Sequence, residues 1–160
     1  QEFYVLVPHW DTWLHTINGF LFAAVGFAIV NILNENKQIK FELSPVFCVI
    51  VAMCFSMTIG VLWEFFEFFM DYFTLTDMQK DFIIQDFASV AFNKQGINDE
   101  VVLNNISKTV INYANGQQIT LNGYLDIGII DTMKDLFVNL IGAVVFSIKI
   151  FILFLPFVVL

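Results

Sequence analysis

Three long apolar stretches, separated by more polar segments, dominate the pattern of hydrophobic and polar positions along the chain. They cover about residues 12–33, 45–71 and 127–160. A helix rises about 1.5 Å per residue and the hydrocarbon core of a bilayer is roughly 30 Å thick, so about 20 apolar residues span it. Three separate spans cannot close a barrel, and the spanning elements are therefore predicted to be helices. The pattern predicts a polytopic helical bundle with at least three transmembrane helices.

A region of different character, residues 72–123, separates the second span from the third. Its first part, TDMQKDFIIQDFASVAF, has apolar residues near helical spacing and predicts a short amphipathic helix. Its second part, VVLNNISKTVINYANGQQITLNG, predicts a β-hairpin with Asn115 and Gly116 in a type I′ turn. The predicted fold class is thus an all-α membrane protein, one integral membrane domain over residues 1–160, with an extramembrane insertion. That insertion is also the expected surface for a protein partner.

Composition supports the membrane prediction and excludes several classes of protein. Hydrophobic residues make up 58% of the chain and charged residues 14%, whereas roughly 25% is usual in soluble domains. Fifteen acidic residues stand against seven lysines and no arginine, which gives a formal net charge of −8. A soluble enzyme, a basic nucleic-acid binder and a disordered tail are all excluded. The expected partner is membrane lipid, and no nucleic-acid partner is expected. Assembly into a homo-oligomer is possible on this sequence.

Polar residues inside the spans fall on three helix faces. If the helices alternate in direction, the start of the first, the end of the second and the start of the third lie at the same membrane face. Spacings of three and four residues place Asp11 and His15 on one face of the first helix, and the members of the other two sets on one face of their own helices. The glycines at the inner ends allow close helix packing. The three sets are His9, Asp11, His15 and Asn18; Gly60, Glu64, Glu67 and Asp71; and Asp131, Asp135, Asn139 and Gly142.

The acids of these sets need compensation, because carboxylates in a membrane are costly and repel one another. Bound cations, shared protons or basic partners could supply it. Only Lys134 lies near the acids in sequence, so a divalent metal ion is the economical explanation, although acids at helix ends can also be interfacial or act as helix caps. Mixed nitrogen and oxygen ligands suit zinc, manganese or iron, and oxygen ligands suit magnesium, manganese or calcium. The predicted ligands are Asp11, His15, Glu64, Asp71, Asp131 and Asp135, with Glu67 as the catalytic general base and His9, Asn18 and Asn139 supporting the ligands.

Three functions remain open at this point. The first is a metal-dependent hydrolase that acts on a lipid or envelope substrate, with Glu67 activating metal-bound water. The second is a component of an ion or proton transporter, which would require polar residues deeper in the membrane than Gly60 and Gly142, where the sequence is mostly apolar. The third is a non-catalytic assembly or sensing protein whose polar residues fix helix packing.

The side of the membrane is indicated by two lysines. Lys37 and Lys40 lie in the short segment between the first two spans, and by the positive-inside rule that segment is cytoplasmic. The predicted site and residues 72–123 are then extracytoplasmic. The chain begins at Gln1 and ends within an apolar run at Leu160, so we expect it to be part of a longer protein.

Three motifs on these helices resemble the YjdF-like family of bacterial integral membrane proteins. They read WDTWLHTINGF, IGVLWEFFEFFMDYF and YLDIGIIDTMKDLFVNLIGA. A looser likeness links the helix with Asp and His to VanZ-like membrane proteins. The resemblance implies an integral protein of the bacterial cell membrane with uncharacterised activity. Members of that family usually carry further spans before the first motif.

Overall fold

Three long helices are the main elements of the computed structural model, which describes residues 6–35 and 43–158. Helix α1 is Trp10–Glu35, helix α2 is Pro45–Thr74 and helix α3 is Ile129–Val158. All three are long and apolar enough to cross a membrane. The three predicted spanning helices are therefore present, with ends a few residues beyond the predicted ones at α1 and α2. Lys37, Lys40 and the chain ends lie outside the described residues.

Local sequence explains where α2 begins and ends and where α3 begins. The Ser44 hydroxyl accepts a hydrogen bond from the Phe47 N–H, and Pro45 occupies the first turn, where its missing N–H costs nothing. Helix α2 ends at Leu75, which adopts the left-handed conformation (φ 53°) and donates its N–H to the Asp71 carbonyl. At the start of α3, an Asp126 carboxylate oxygen accepts the Ile130 N–H at 2.9 Å. Asp126 thus acts as a helix cap.

Contacts between the helices fix their directions. The Asn34 amide at the end of α1 exchanges two hydrogen bonds with the Leu43 backbone just before α2, at 2.7 and 3.2 Å. At the other end, His15 of α1 meets Glu64 of α2, so these two helices are antiparallel. Helix α3 runs parallel to α1, since Phe20 and Phe27 both contact the ring of Phe146 and His15 meets Asp135. The start of α1, the end of α2 and the start of α3 lie together, as alternation predicts.

Glycines set the separation between α1 and its neighbours. A Cβ atom on Gly19 would overlap the Asn139 carbonyl, and one on Gly142 would overlap the Thr16 carbonyl. On the α2 side, a Cβ on Gly26 would lie 2.8 Å from the Phe55 Cβ. Small residues allow membrane helices to pack backbone against backbone. This role was predicted for Gly142, whereas Gly19 and Gly26 were not singled out.

The outward faces of the helices carry large apolar side chains. Water does not tolerate so much contiguous apolar surface, whereas lipid tails do. The pattern fits helices whose outer faces contact hydrocarbon. Exposed examples are Leu21, Val25 and Ile29 on α1, Leu62, Phe65 and Phe69 on α2, and Phe137, Ile141 and Val145 on α3.

The chain forms two compact units. One comprises residues 1–78 and 132–160 and contains most of the three helices, and the other comprises residues 79–131. The second unit is built from three two-stranded antiparallel ribbons. They pair β1 (Phe82–Ile84) with β6 (Tyr124–Asp126), β2 (Phe87–Ser89) with β3 (Val101–Leu103), and β4 (Thr109–Tyr113) with β5 (Gln117–Leu121).

The predicted amphipathic helix in the segment TDMQKDFIIQDFASVAF is wrong. That segment forms β1, β2 and one short 3₁₀ turn at Val90–Phe92. Short apolar runs do not distinguish strand from helix by spacing alone, and here strands far along the chain supply the hydrogen-bond partners. Contact between the rings of Phe87 and Tyr124, with centroids 4.6 Å apart, adds cross-ribbon packing. The predicted all-α class therefore describes the three long helices but is wrong for residues 79–131, which form β-ribbons.

The predicted hairpin is confirmed. Strands β4 and β5 pair from Thr109 opposite Leu121 to Tyr113 opposite Gln117. Asn115 (φ 62°) and Gly116 (φ 71°) both adopt the positive φ that a type I′ turn requires. The loop between the last paired residues has three residues instead of the predicted two, because Ala114 is unpaired.

Candidate functional site

Five buried ionisable side chains from three helices meet within the helical unit. Helix α1 contributes Asp11 and His15, which lie four residues apart on one face, and α2 contributes Glu64 and Glu67. Helix α3 contributes Asp135, which is only 1% exposed. We call these five residues the acidic cluster. Ionisable groups buried among apolar helices are costly, so they mark candidate functional sites.

His15 lies at the centre of the acidic cluster, with a carboxylate facing each side of its ring. Its Nε2 is 3.6 Å from an Asp11 oxygen and 3.7 Å from an Asp135 oxygen, and its Nδ1 is 3.8 Å from a Glu64 oxygen. These separations exceed the roughly 2.7–3.2 Å of an N–H···O hydrogen bond. They approach the spacing of about 3.3 Å between two ligands that each lie about 2.0–2.1 Å from a tetrahedral metal ion.

Two overlapping groups of side chains have the geometry to hold a metal ion. One is Asp11, His15 and Asp135, and the other is His15, Glu64 and Glu67. Within each group, the three candidate ligand atoms lie within 4.8 Å of one another. His15 belongs to both, and its Nε2 faces the first group while its Nδ1 faces Glu64 of the second. The structure thus brings together four of the predicted acids around the predicted histidine.

A cavity of about 350 Å³ adjoins the acidic cluster. That volume falls within the range of roughly 300–1,000 Å³ typical of small-molecule pockets. We call it the interhelical cavity, since all three helices line it. Because His15 is both a lining residue and the centre of the cluster, a molecule in the cavity reaches one of the candidate metal ligands. The lining residues are His15, Asn18, Phe22, Ile59, Gly60, Leu62, Trp63 and Asn139.

Two of the three predicted supporting residues line the interhelical cavity. Asn18 lies at its edge and is exposed, whereas Asn139 is buried at 2% exposure. The Asn139 amide N–H₂ faces the Ser56 carbonyl at 3.4 Å, and the Ser56 hydroxyl donates to the Gly19 carbonyl at 2.8 Å. These two contacts tie the three helices together next to the cluster.

Three predicted site residues are placed elsewhere. An Asp71 oxygen accepts hydrogen bonds from the Thr76 hydroxyl (2.8 Å) and the Met78 N–H (2.7 Å), so it orders the chain that follows α2. An Asp131 oxygen accepts the Lys80 N–H at 2.9 Å. His9 is exposed, with a positive φ of 59°, immediately before α1. Within residues 6–35 and 43–158, neither metal-competent group includes any of the three.

Sequence reasoning missed several residues of the site. Ser56 lies one turn from Gly60 and two turns from Glu64, so the stripe of α2 could have been extended to include it. The position of Trp63 near a helix end is typical of an interfacial tryptophan, yet Trp63 lines the interhelical cavity together with Phe22, Ile59 and Leu62. No spacing signal separates these apolar residues from others that face lipid, because the cavity depends on how the helices pack.

The fold and the acidic cluster together define an integral membrane protein with a buried acidic and histidine site between its helices. The chain belongs to the family described as a predicted membrane protein family, DUF2238, whose model matches residues 2–155. The YjdF-like proteins that its motifs resemble are part of this family, whereas the likeness to VanZ-like proteins is not supported. No curated protein and no solved structure matches the chain. Family membership and the three apolar helices establish a membrane location.

Proposed function

We propose that the acidic cluster binds a divalent metal ion and that the protein is a metal-dependent hydrolase for a lipid or envelope substrate. The observation that carries the proposal is the position of His15, which has carboxylate oxygens 3.6–3.8 Å from both ring nitrogens inside a buried group. A bound divalent ion supplies Lewis acidity and generates hydroxide from water near neutral pH. The adjoining cavity offers room for a substrate beside that ion.

Charge supports a cation in the acidic cluster. When all four carboxylates are ionised, a protonated His15 still leaves an excess of three negative charges in this group. Repulsion between like charges grows as the local dielectric falls, and these residues are at most 8% exposed. A divalent cation that touches two or three of the carboxylates offsets most of that repulsion, and it explains why they converge.

The two nitrogens of His15 have different roles in this proposal. A neutral imidazole has one nitrogen that can bind a metal and one N–H, which in metal sites usually donates to a carboxylate. We assign the metal to Nε2, together with Asp11 and Asp135, because two carboxylate oxygens from two different helices face that nitrogen at nearly equal distances. Glu64 then receives the Nδ1–H and orients the ring. Three protein ligands leave coordination positions for water and substrate.

Glu67 is the candidate general base. It lies one turn after Glu64 on the buried face of α2 and belongs to the second metal-competent group. A carboxylate next to a metal-bound water can take its proton during attack. Glu67→Gln removes that capacity while it keeps the size of the side chain. This variant is expected to retain the metal and to lose hydrolysis of a panel of phospholipids and phosphorylated prenols by 100-fold or more, about the contribution of a general base.

Elemental analysis tests the metal itself. We expect wild-type protein, purified without chelator and loaded with zinc or manganese, to hold about one ion per chain, and Asp135→Asn to hold none. Asp71→Asn is the matched control, because Asp71 is an acid on α2 that hydrogen bonds to Thr76 and Met78. It should retain the ion. Metal-free, folded wild-type protein would contradict the proposal.

The assignment of Nε2 has its own test. If the metal lies at Nε2, Asp11→Asn and Asp135→Asn abolish binding, while Glu64→Gln weakens it by about 10- to 100-fold, as loss of an orienting partner does. If the metal instead lies at Nδ1, the Glu64 variant loses binding and the Asp135 variant is only weakened. Titration of each variant with zinc distinguishes the two placements.

Transport of ions or protons is the alternative, and the interior of the bundle disfavours it. Beyond Asn139, the buried positions among the described residues are mainly Ala23, Ala52, Ala143 and Phe146. Ser56 and Ser147 are the polar exceptions. A proton or ion path needs polar groups that continue across the membrane. A non-catalytic packing role predicts that acid-to-amide variants change stability alone. In that case the elemental analysis described above would find no metal in the wild type or in the variants.

The same proposal places the site on the extracytoplasmic side of a bacterial cell membrane. It rests on Lys37 and Lys40 in the segment between the first two spans and on the positive-inside rule. Ala114→Cys, at the exposed tip of the β4–β5 hairpin, should react with a membrane-impermeant maleimide in intact cells. Labelling only after cell lysis would reverse the orientation.

A further inference from the structure

The interhelical cavity is lined by two chemically distinct sets of side chains. His15, Asn18 and Asn139 are polar, whereas Phe22, Ile59 and Leu62 are apolar. Pockets that bind small molecules typically combine apolar walls with a few convergent polar groups. An amphiphilic molecule matches such a lining, since its hydrocarbon can contact the apolar side chains and its oxygen-bearing group the polar ones.

The two asparagines have unused hydrogen-bonding capacity at the cavity. The Asn18 side chain makes no hydrogen bond to another described residue, although it lies on a membrane-spanning helix. Asn139 is 2% exposed, and its amide N–H₂ has only a 3.4 Å contact with the Ser56 carbonyl and a 3.5 Å contact with the Met57 sulfur. Its Oδ1 accepts no hydrogen bond from the described residues. Polar groups at membrane depth normally find a partner.

The apolar lining of the cavity reaches the outer surface of the helices. Leu62 is 55% exposed and Trp63 is 46% exposed, so both contribute to the cavity and to the outer face of α2. This position favours entry of a molecule from the bilayer. The volume of about 350 Å³ equals about twelve water molecules in the liquid, which suits a head-group linkage and the first part of one chain.

We propose that the interhelical cavity binds a single hydrocarbon chain of a membrane lipid, with the oxygen-bearing head-group linkage held by Asn18 and Asn139 next to His15. This inference rests on the proposed function, because it assigns the position of the substrate next to the proposed metal site. The amide N–H₂ groups donate to phosphate or ester oxygens, and the amide oxygens accept from hydroxyls. Phe22, Ile59 and Leu62 contact the first part of the chain.

Native mass spectrometry of the full chain in detergent measures lipid binding directly. The probes are 1-oleoyl lysophosphatidic acid, which carries a phosphate, and monoolein, which carries an uncharged ester head group. Ile59→Trp fills the cavity and is expected to abolish the saturable binding of whichever probe the wild type takes up. Ile50→Trp makes the same change at an exposed position of α2 outside the cavity, and we expect it to bind like the wild type.

A second variant keeps the test valid if Ile59→Trp fails to fold. Asn18→Leu changes an exposed side chain without a hydrogen bond to another described residue, so the packed interior is left intact. It should weaken binding by about threefold to tenfold, as expected for the loss of one or two hydrogen bonds. Unchanged binding in both Asn18→Leu and Ile59→Trp would overturn the inference, and so would an equal loss in the Ile50→Trp control.

Metal analysis of the same samples separates this inference from the proposed function. Saturable lipid binding by folded wild-type protein that takes up no zinc or manganese when these ions are offered would support the lipid site and contradict the metal-dependent hydrolase. Metal bound without saturable uptake of either probe would support the metal site and overturn the lipid site. Uptake of lysophosphatidic acid only in the metal-loaded protein would identify the phosphate as the recognised group, and uptake of monoolein in either state would identify the ester.

Discussion

The two ends of the helical unit use their polar residues in different ways. At the end where α1 passes towards α2, the Asn34 amide exchanges two hydrogen bonds with the Leu43 backbone, and Asn31 donates to Glu35. A cavity of only about 50 Å³ lies there. At the opposite end, the acidic cluster joins side chains of three helices beside a cavity of about 350 Å³. Polar residues at the first end stabilise a chain reversal, whereas those at the second converge on one another.

This difference argues that the acidic cluster is not a general property of helix ends in this protein. Helix termini need hydrogen-bonding partners, and Asn34, Ser44 and Asp126 all supply them. His15, Glu64 and Asp135 lie one or more turns inside their helices, on buried faces. Convergence of this kind has an energetic cost, which the proposed cation would offset.

The largest expected effect is on helix packing next to the acidic cluster. Gly142→Ala places a Cβ against the Thr16 carbonyl of α1, a backbone atom that cannot move aside easily. We expect a loss of about 3 kcal/mol in the free energy of unfolding, measured by thermal or denaturant unfolding in detergent. Ala28→Leu, a larger addition at an exposed position of α1, is the control and should change stability little. Equal effects of the two changes would mean that the helices do not pack as described.

A chelator should act on the acidic end alone. At a free metal concentration of 100 times the dissociation constant, binding to the folded state adds about 2.7 kcal/mol to the free energy of unfolding. Removal of metal with EDTA is therefore expected to lower the melting temperature of the wild type and to leave that of Asp135→Asn unchanged. A chelator effect of the same size in both proteins would place the metal outside the cluster.

The smallest expected effect concerns the opposite end. Asn34→Ala removes two hydrogen bonds to the Leu43 backbone, and we expect it to cost about 1–2 kcal/mol of stability. Metal content should stay at the wild-type value, because Asn34 is at the far end of α1 from His15. Loss of the metal in this variant would show that the two ends are not independent, and the comparison would fail.

The helices and most of the site could be predicted from the sequence, because each depends on spacing along one helix. Asp11 and His15 share a face at a separation of four, and so do Asp135 and Asn139. Alternating helix directions then bring the three faces together. Asp71 and Asp131 have the same spacing, but Asp71 accepts a hydrogen bond from the Met78 N–H and Asp131 accepts one from the Lys80 N–H. No helical pattern reveals these partners.

Other features depended on contacts between distant segments and could not be predicted. Strand β1 pairs with β6, which lies about forty residues further along the chain, so the apolar spacing of the FII segment indicated a helix instead. Trp63 lines the cavity because of how α1 and α2 pack, although its sequence position is equally typical of an interfacial tryptophan. The turn at Asn115 was predicted correctly because its chemistry is local.

The central claim is that His15 binds a metal ion together with carboxylates, and X-ray absorption spectroscopy tests it most directly. In zinc-loaded wild-type protein we expect one imidazole nitrogen at about 2.0–2.1 Å with oxygen ligands in the remaining positions. The imidazole signal should disappear in His15→Gln, and it should persist in His9→Gln, since His9 is exposed and lies in neither metal-competent group. A zinc shell of oxygen atoms alone in the wild type, or an imidazole signal that survives His15→Gln, would contradict the account.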